Sequence, residues 1–209
     1  MSRSSLILVG AGGHARACID IIEHLNTFSI AGLISNEEEL QHECLGYPVI
    51  ATDSDFPKLA KKYKYALITV GQIETALVRH RLYDQALAIG FKLPIIISPT
   101  AYVSRHAVVG DGTMVMHGAI VNAGAKVGNN CIINTNALIE HDAIVADHCH
   151  ISTGAIVNGA ANIGLGSFVG SGSIIKQGIT LGNNCVVGMD ISIRHHYAEN
   201  SRILTRKKL

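Results

Sequence analysis

From Ser98 to Ile193 the aliphatic positions recur every six residues without a break. The sixth place of each of these 16 hexads runs Val103, Val109, Val115, Val121, Val127, Ile133 and onward to Val187 and Ile193, and every one is aliphatic. Two residues earlier stand small or modest side chains, from Ala101, Ala107 and Thr113 to Cys185 and Ile191. A spacing of two puts both side chains on one side of an extended segment. The first place of each hexad is mostly Gly, Asn or Ser, which tolerate a corner. Short strands joined by tight corners follow, three to a coil of 18 residues. Coils stacked in parallel at about 4.8 Å form a parallel β-helix roughly 25 Å long.

The place between the two interior positions points outward, and these residues sort into three faces. Face one reads Tyr102, Ile120, Leu138, Ile156, Ile174 and Ser192; face two reads Val108, Lys126, Ile144, Asn162 and Thr180; face three reads Met114, Ile132, His150, Phe168 and Val186. Faces one and three are aliphatic stripes of a kind that a soluble monomer does not leave in water, so both are expected to be subunit contacts. Two apolar faces, each meeting a different neighbour, suit a threefold ring.

Before Ser98 the pattern changes. The apolar run Leu6 to Val9 predicts a buried strand, followed by Gly10-Ala11-Gly12-Gly13-His14-Ala15 and a helical pattern through Ile19, Ile22 and Leu25. Further strands are predicted at 30–34, 66–70 and 93–97, with helical stretches near 55–62 and 74–89. This reads as a small Rossmann-like α/β domain over 1–97, then the β-helix over 98–193 and a tail over 194–209. The glycine loop matches GxGxxG/A, in which backbone approaches phosphate at a helix N-terminus. A tight strand-to-helix turn without a ligand gives the same letters. The acidic ribose reader anticipated about 20 residues later is replaced by Ser35 and Asn36, which disfavours a nicotinamide cofactor. Gly71 and Gln72 end another strand, at the edge where nucleotides bind such sheets.

Composition agrees with the division. Residues 1–97 carry 19 charges and residues 98–193 only 8, while the chain of 209 residues balances 17 Lys and Arg against 16 Asp and Glu. No net field draws it to nucleic acid, and no run approaches the ~20 apolar residues of a membrane span. Five cysteines without metal-site spacing fit reduced thiols and a cytoplasmic location. Cys131, Cys149 and Cys185 share one interior column and read as small core fillers.

Two features carry candidate chemistry: the run Glu140-His141-Asp142 and the outward His150 in an apolar column. A carboxylate beside His141 fixes its tautomer and raises its basicity, as acid–base chemistry near neutral pH requires. A hydrogen-bonded histidine at a subunit seam is the plainer reading of each.

With the Gly10–His14 loop, the segment Ile139-Glu140-His141-Asp142 and the run His150-Ile151-Ser152-Thr153-Gly154, the chain resembles the bacterial sugar O- and N-acyltransferases of the sialic-acid O-acetyltransferase and bacillosamine N-acetyltransferase type. The resemblance implies a left-handed β-helix, a homotrimer with active sites at subunit seams, and acetyl-CoA as cosubstrate without a metal. It implies His141 as general base supported by Asp142, and His150, Gly159, Ser171 and Met189 along the CoA groove. It implies a nucleotide-linked amino-sugar, a 4-amino-4,6-dideoxysugar, held by Gly12, Gly13, His14, Ser35, Asn36, Gly71 and Gln72. The bacillosamine enzymes carry an Asp pair where Ser35 and Asn36 stand, and the C-terminal Gly-x-Pro-Ala motif of many relatives is replaced by a basic tail with Arg206, Lys207 and Lys208. Three other readings stay open on the residues: O-acetylation of sialic acid, a metal-dependent β-helix enzyme using His141, His148 and His150, and a scaffold whose first domain senses a nucleotide.

Overall fold

The computed structural model describes residues 3–204; Arg206, Lys207 and Lys208 of the basic tail lie outside them. The N-terminal unit consists of β1 (Ser4–Val9), α1 (Gly13–His24), β2 (Phe28–Ser35), β3 (Glu43–Cys44), β4 (Tyr47–Thr52), α2 (Phe56–Lys62), β5 (Tyr65–Ile68) and α3 (Leu77–Ala88). Its sheet runs β3-β4-β2-β1-β5, parallel apart from the β3–β4 hairpin. The central strand is apolar on both sides because helices cover both. Leu6 and Leu8 pack with Cys18, Ile19 and Ile22 of α1, whereas Ile7 and Val9 pack with Leu82, Tyr83 and Ala86 of α3. Strand order reverses between β1 and β5, so the loops leaving these strands form the crevice in which open α/β sheets take ligands.

The strand predicted at 93–97 divides instead. Lys92 makes a single bridge to Tyr65, while Ile96–Ile97 pairs with Met114–Val115 and opens the coil. Pro94, between them, has no N–H to continue a ladder. The sheet gains β3 and β4, which the sequence pattern did not predict.

The hexads build three parallel ladders. One joins Tyr102–Val103 through Ser192–Ile193, the second joins Val108–Val109 through Thr180–Leu181, and the third joins Ile96–Ile97 through Arg202–Ile203. Pairing therefore extends beyond Ile193, with Tyr197 bridged to Leu181 and Arg202–Ile203 paired to Val186–Val187. The left-handed backbone of each corner falls at the third hexad place, from Gly112 through Asp142 to Asp190, rather than at the first. Gly, Asn and Asp dominate that place, and these residues visit the left-handed region at least cost. The interior column Thr113, Cys131, Cys149, Ser167 and Cys185 hydrogen-bonds carbonyls of the next corner, with Cys131 Sγ 3.1 Å from Ala146 O and Cys149 Sγ 3.1 Å from Gly164 O. Burial pushes the Cys149 thiol well above its ordinary value, which suits a core filler and not a nucleophile.

Face three overturns one expectation. Met114, Ile132, His150, Phe168 and Val186 are all buried within the single chain. The N-terminal domain is what covers this face: Met114 and Met116 join the core of α1 and the sheet. The apolar stripe exists because a domain of the same chain sits on it, so only face one is left as an aliphatic face for another subunit. Polar contacts fix the docking. Asp20 of α1 meets His117 Nε2 at 2.9 Å, and Gln72 Nε2 donates to Gly166 O at 3.2 Å.

Candidate active site

The coil corner between faces one and two carries the Glu140-His141-Asp142 run. Asp142 occupies the left-handed corner position with φ 59°, and this turns its carboxylate back onto the preceding ring. His141 Nδ1 lies 3.0 Å from Asp142 Oδ2. The Glu140 carboxylate accepts from the His141 backbone N–H and from Asn122 Nδ2, both at 3.1 Å. Asp142, through that hydrogen bond, raises the His141 pKa above its ordinary value. The imidazole is 58% exposed in the single chain, with Nε2 pointing at Gly159 one coil on. A Cβ at Gly159 would stand 2.7 Å from Nε2 and 2.8 Å from Cε1. Glycine is thus the residue that leaves the ring its place.

The 18-residue period extends this corner into lines of side chains. Asn122, Glu140, Asn158, Lys176 and Arg194 share one line, and His141, Gly159 and Gln177 share the next. Beyond Gly159 a groove of about 600 Å³ is lined by Asn158, Ile174, Lys176, Gln177, Ser192, Ile193 and Arg194. Asn122, Lys176 and Arg194 were missed by sequence reasoning, although adding or subtracting 18 from Glu140 finds them. Ser171 and Met189 lie at a different edge, the corner between faces three and one. There Ser171 Oγ is 3.0 Å from Ser152 Oγ, and Met189 is 77% exposed. One chain therefore brings His141, Asp142 and Gly159 together and holds Ser171 and Met189 apart from them.

His150, expected near the thioester, is buried under the N-terminal domain. Its Nδ1–H donates to Gln72 O at 2.6 Å, and its Nε2 accepts from Asn134 Nδ2 at 3.1 Å. Burial pushes its pKa down to about 4, which keeps it neutral. Gln72 belongs to the same junction: the residue is 3% exposed, with Oε1 unpartnered. Arg79 was missed altogether. Its guanidinium, 1% exposed, donates to Ile68 O, Val70 O and both oxygens of Asn130, at 2.6–3.1 Å. It ties the end of β5 to the coil, with no carboxylate partner among the described residues. One of two arginines on a helix of mixed polarity, Arg79 gives no sequence signal for this.

At the head of α1, Gly10 has φ 117° and a Cβ there would strike Val70 at 2.7 Å, so this glycine serves strand packing. Gly12 caps the helix without a side chain, and Cβ atoms at Gly12 and Gly13 would meet nothing within 4 Å. The first-turn amides of α1 are thus open to an anion. His14 follows them with its pKa pushed down to about 3, by burial first and then by Arg79 and His150, and a Cβ added at Gly71 would stand 3.7 Å from the His14 Cβ. Ser35 and Asn36 stand across the loop at the end of β2. Among the described residues no three His, Cys, Asp or Glu side chains are grouped to hold a metal ion, and no helix is long and apolar enough to cross a membrane.

A nucleotide-type α/β domain docked on a hexapeptide coil with a carboxylate-supported histidine at a coil corner defines the class as a hexapeptide-repeat acyltransferase. Family comparisons match residues 5–86 to the PglD N-terminal domain and residues 106–141 to the bacterial transferase hexapeptide (six repeats). The acetyltransferase domain of PglB from Neisseria gonorrhoeae, solved with acetyl coenzyme A, is similar at 30% identity and TM-score 0.89, covering 96% of each chain. The perosamine N-acetyltransferase of Caulobacter crescentus, solved with CoA and GDP-perosamine as a histidine-to-asparagine variant, is similar at 26% identity and TM-score 0.90, covering 96% of this chain and 93% of that one. WeeI from Acinetobacter baumannii shares the fold at 19% identity and TM-score 0.85, covering 97% of each chain. A comparison with curated protein sequences gave no match. The chain belongs to the PglD-type sugar acetyltransferases of the hexapeptide-repeat superfamily, and its coil is their left-handed β-helix.

Proposed function

We infer that the protein N-acetylates the amino group of a nucleotide-linked amino-sugar, a 4-amino-4,6-dideoxysugar, with acetyl-CoA as donor, for surface-glycan synthesis in the cytoplasm. The observation that carries this reading is the His141–Asp142 pair at an open coil corner, in a chain similar over its length to enzymes solved with acetyl-CoA and with GDP-perosamine. The Asp142 carboxylate holds the proton on Nδ1, which leaves the Nε2 lone pair as the base. As the sugar nitrogen attacks the thioester carbonyl, an N–C bond forms and the C–S bond breaks. The nitrogen's proton passes to His141 Nε2 and then to the departing CoA thiolate.

The donor runs along the groove past Gly159 toward Lys176 and Arg194, whose cations suit its phosphates. The nucleotide diphosphate sits at the open amides of Gly12 and Gly13 beside His14, with Gly71 and the end of β2 at Ser35 and Asn36 around it. Gln72 and His150 act from behind as interdomain fasteners. The assembly is a trimer closed through face one, where Tyr102 is 58% exposed, Ile120 38% and Ile174 41%. Such packing brings the Ser171 and Met189 edge of one subunit to the His141 edge of the next. The test is CoA release, read with a thiol reagent, across UDP-, dTDP- and GDP-linked 4-amino-4,6-dideoxysugars and free sialic acid. Turnover with an amino-sugar supports N-acetylation. Turnover with sialic acid alone moves the assignment to O-acetylation.

A further inference from the structure

A cavity of about 190 Å³ opens beside the glycine loop, between Ala11 and Arg16 on one side and Glu39, His42, Glu43, Cys44 and Val49 on the other. It lies at the carboxyl end of β2, the place from which an acidic side chain reads ribose hydroxyls in nucleotide-binding α/β sheets. The sequence puts Ser35 and Asn36 there, neither of them acidic. Both instead bind one acid four or three residues on. Ser35 Oγ–H donates to the Glu39 carboxylate, and Asn36 Oδ1 accepts the Glu39 backbone N–H at 3.0 Å, capping the 3₁₀ turn Glu37–Glu39. The turn returns Glu39 to the end of the strand, half-buried on the cavity wall. Its neighbours Glu37 and Glu38 are exposed and line nothing there. Arg16, on the first turns of α1, lines the same cavity and brings a cation to it.

We propose that Glu39 is the ribose-reading residue of this chain and that it selects a ribonucleotide-linked sugar over a 2′-deoxyribonucleotide-linked one. A carboxylate has two oxygens and only accepts, so it pairs with the 2′- and 3′-hydroxyls of one ribose together. The Ser35 hydroxyl fixes its rotamer and leaves acceptor capacity for the ligand. A 2′-deoxyribose leaves one carboxylate oxygen facing the cavity without a donor, and a missing partner at a charged group carries a greater penalty than a lost neutral contact. The substrate class is therefore a UDP- or GDP-type sugar and not a dTDP-type one.

This inference rests on the nucleotide reading of the first domain, and the test separates the two. Binding of UDP, 2′-dUDP, GDP and 2′-dGDP to the full chain is measured by titration calorimetry. One ribonucleotide is expected to bind at least about tenfold tighter than its own 2′-deoxy form. In Glu39→Gln, which keeps the shape and removes the charge, the ratio should fall to about threefold or less, with a partial fall in Ser35→Ala. Thermal melting establishes that both variants are folded. Equal binding of ribo and deoxy forms overturns the proposal and leaves the nucleotide reading standing, as does a ratio unchanged in Glu39→Gln. Failure of all four nucleotides to bind overturns both.

Discussion

Gly159→Ala tests how the coil holds its base. An alanine Cβ would lie 2.7 Å from His141 Nε2 and 2.8 Å from Cε1, whereas non-bonded carbon contacts settle at about 3.5–4.0 Å. The ring must therefore retreat by roughly 1 Å. On its other edge it is tied to Asp142 at 3.0 Å, and the Asp142 carboxylate is backed by Gly124, where even a Cβ would come within 2.3 Å of Oδ1. The pair cannot recede as a unit, so the ring swings outward and the Nδ1 hydrogen bond is lost. A misplacement of about 1 Å at a reacting group costs on the order of 10²-fold in rate. Gly159 does not occupy the left-handed backbone region, so alanine adds no strain there and the fold should melt within a few degrees of the wild type. The assay is kcat at saturating acetyl-CoA and amino-sugar nucleotide, which separates a displaced base from weakened CoA binding. A kcat within about threefold of wild type would refute the reasoning, since the contact that positions the ring would then be immaterial.

Other outcomes follow from the same geometry. Asp142→Ala removes the hydrogen bond that raises the His141 pKa; the acidic limb of the kcat profile should then move to lower pH as its plateau falls, and an unmoved limb contradicts the pairing. Ile174→Glu places a charge on the face-one stripe, where Ile174 is 41% exposed, and should convert the assembly to monomers by light scattering. Buried His150 has its folded-state pKa lowered to about 4 from an ordinary 6.5, so the unfolded chain binds the extra proton between these values. Its contribution is fully present above pH 6.5 and is lost as pH falls toward 4, by about 3 kcal/mol at pH 4. His14 and His148, both lowered as well, act in the same direction. Urea melts from pH 7 to pH 4 should show the loss, with a shallower dependence in His150→Asn.

Much of this architecture is legible in the hexads, because each interior place is filled by a residue that fits only one side of a two-residue strand. His141 and Asp142 are legible too, since adjacent corner places put a ring and a carboxylate within one hydrogen bond of each other. What the pattern cannot distinguish is the identity of whatever covers an apolar face. Met114, Ile132 and Phe168 would look the same under a neighbouring subunit, but Met114 and Met116 share a core with α1 of their own chain. The same blindness hides Arg79 and gives His150 the look of a groove residue, because the contacts that dock them, Arg79 on Asn130 and His150 on the Gln72 carbonyl, cross between the domains at separations of 51 and 78 residues. The β3–β4 hairpin escapes notice because Tyr47–Thr52, interrupted by Pro48, alternates too briefly to be told from a loop.

The most direct test of His141 as the base is His141→Asn, assayed at saturating acetyl-CoA and amino-sugar nucleotide alongside a binding measurement for both ligands. General-base assistance accounts for about 10²- to 10⁴-fold, so kcat should fall by that factor while both ligands bind as in the wild type and the melting temperature holds. Undiminished turnover by a folded His141→Asn protein would contradict the account.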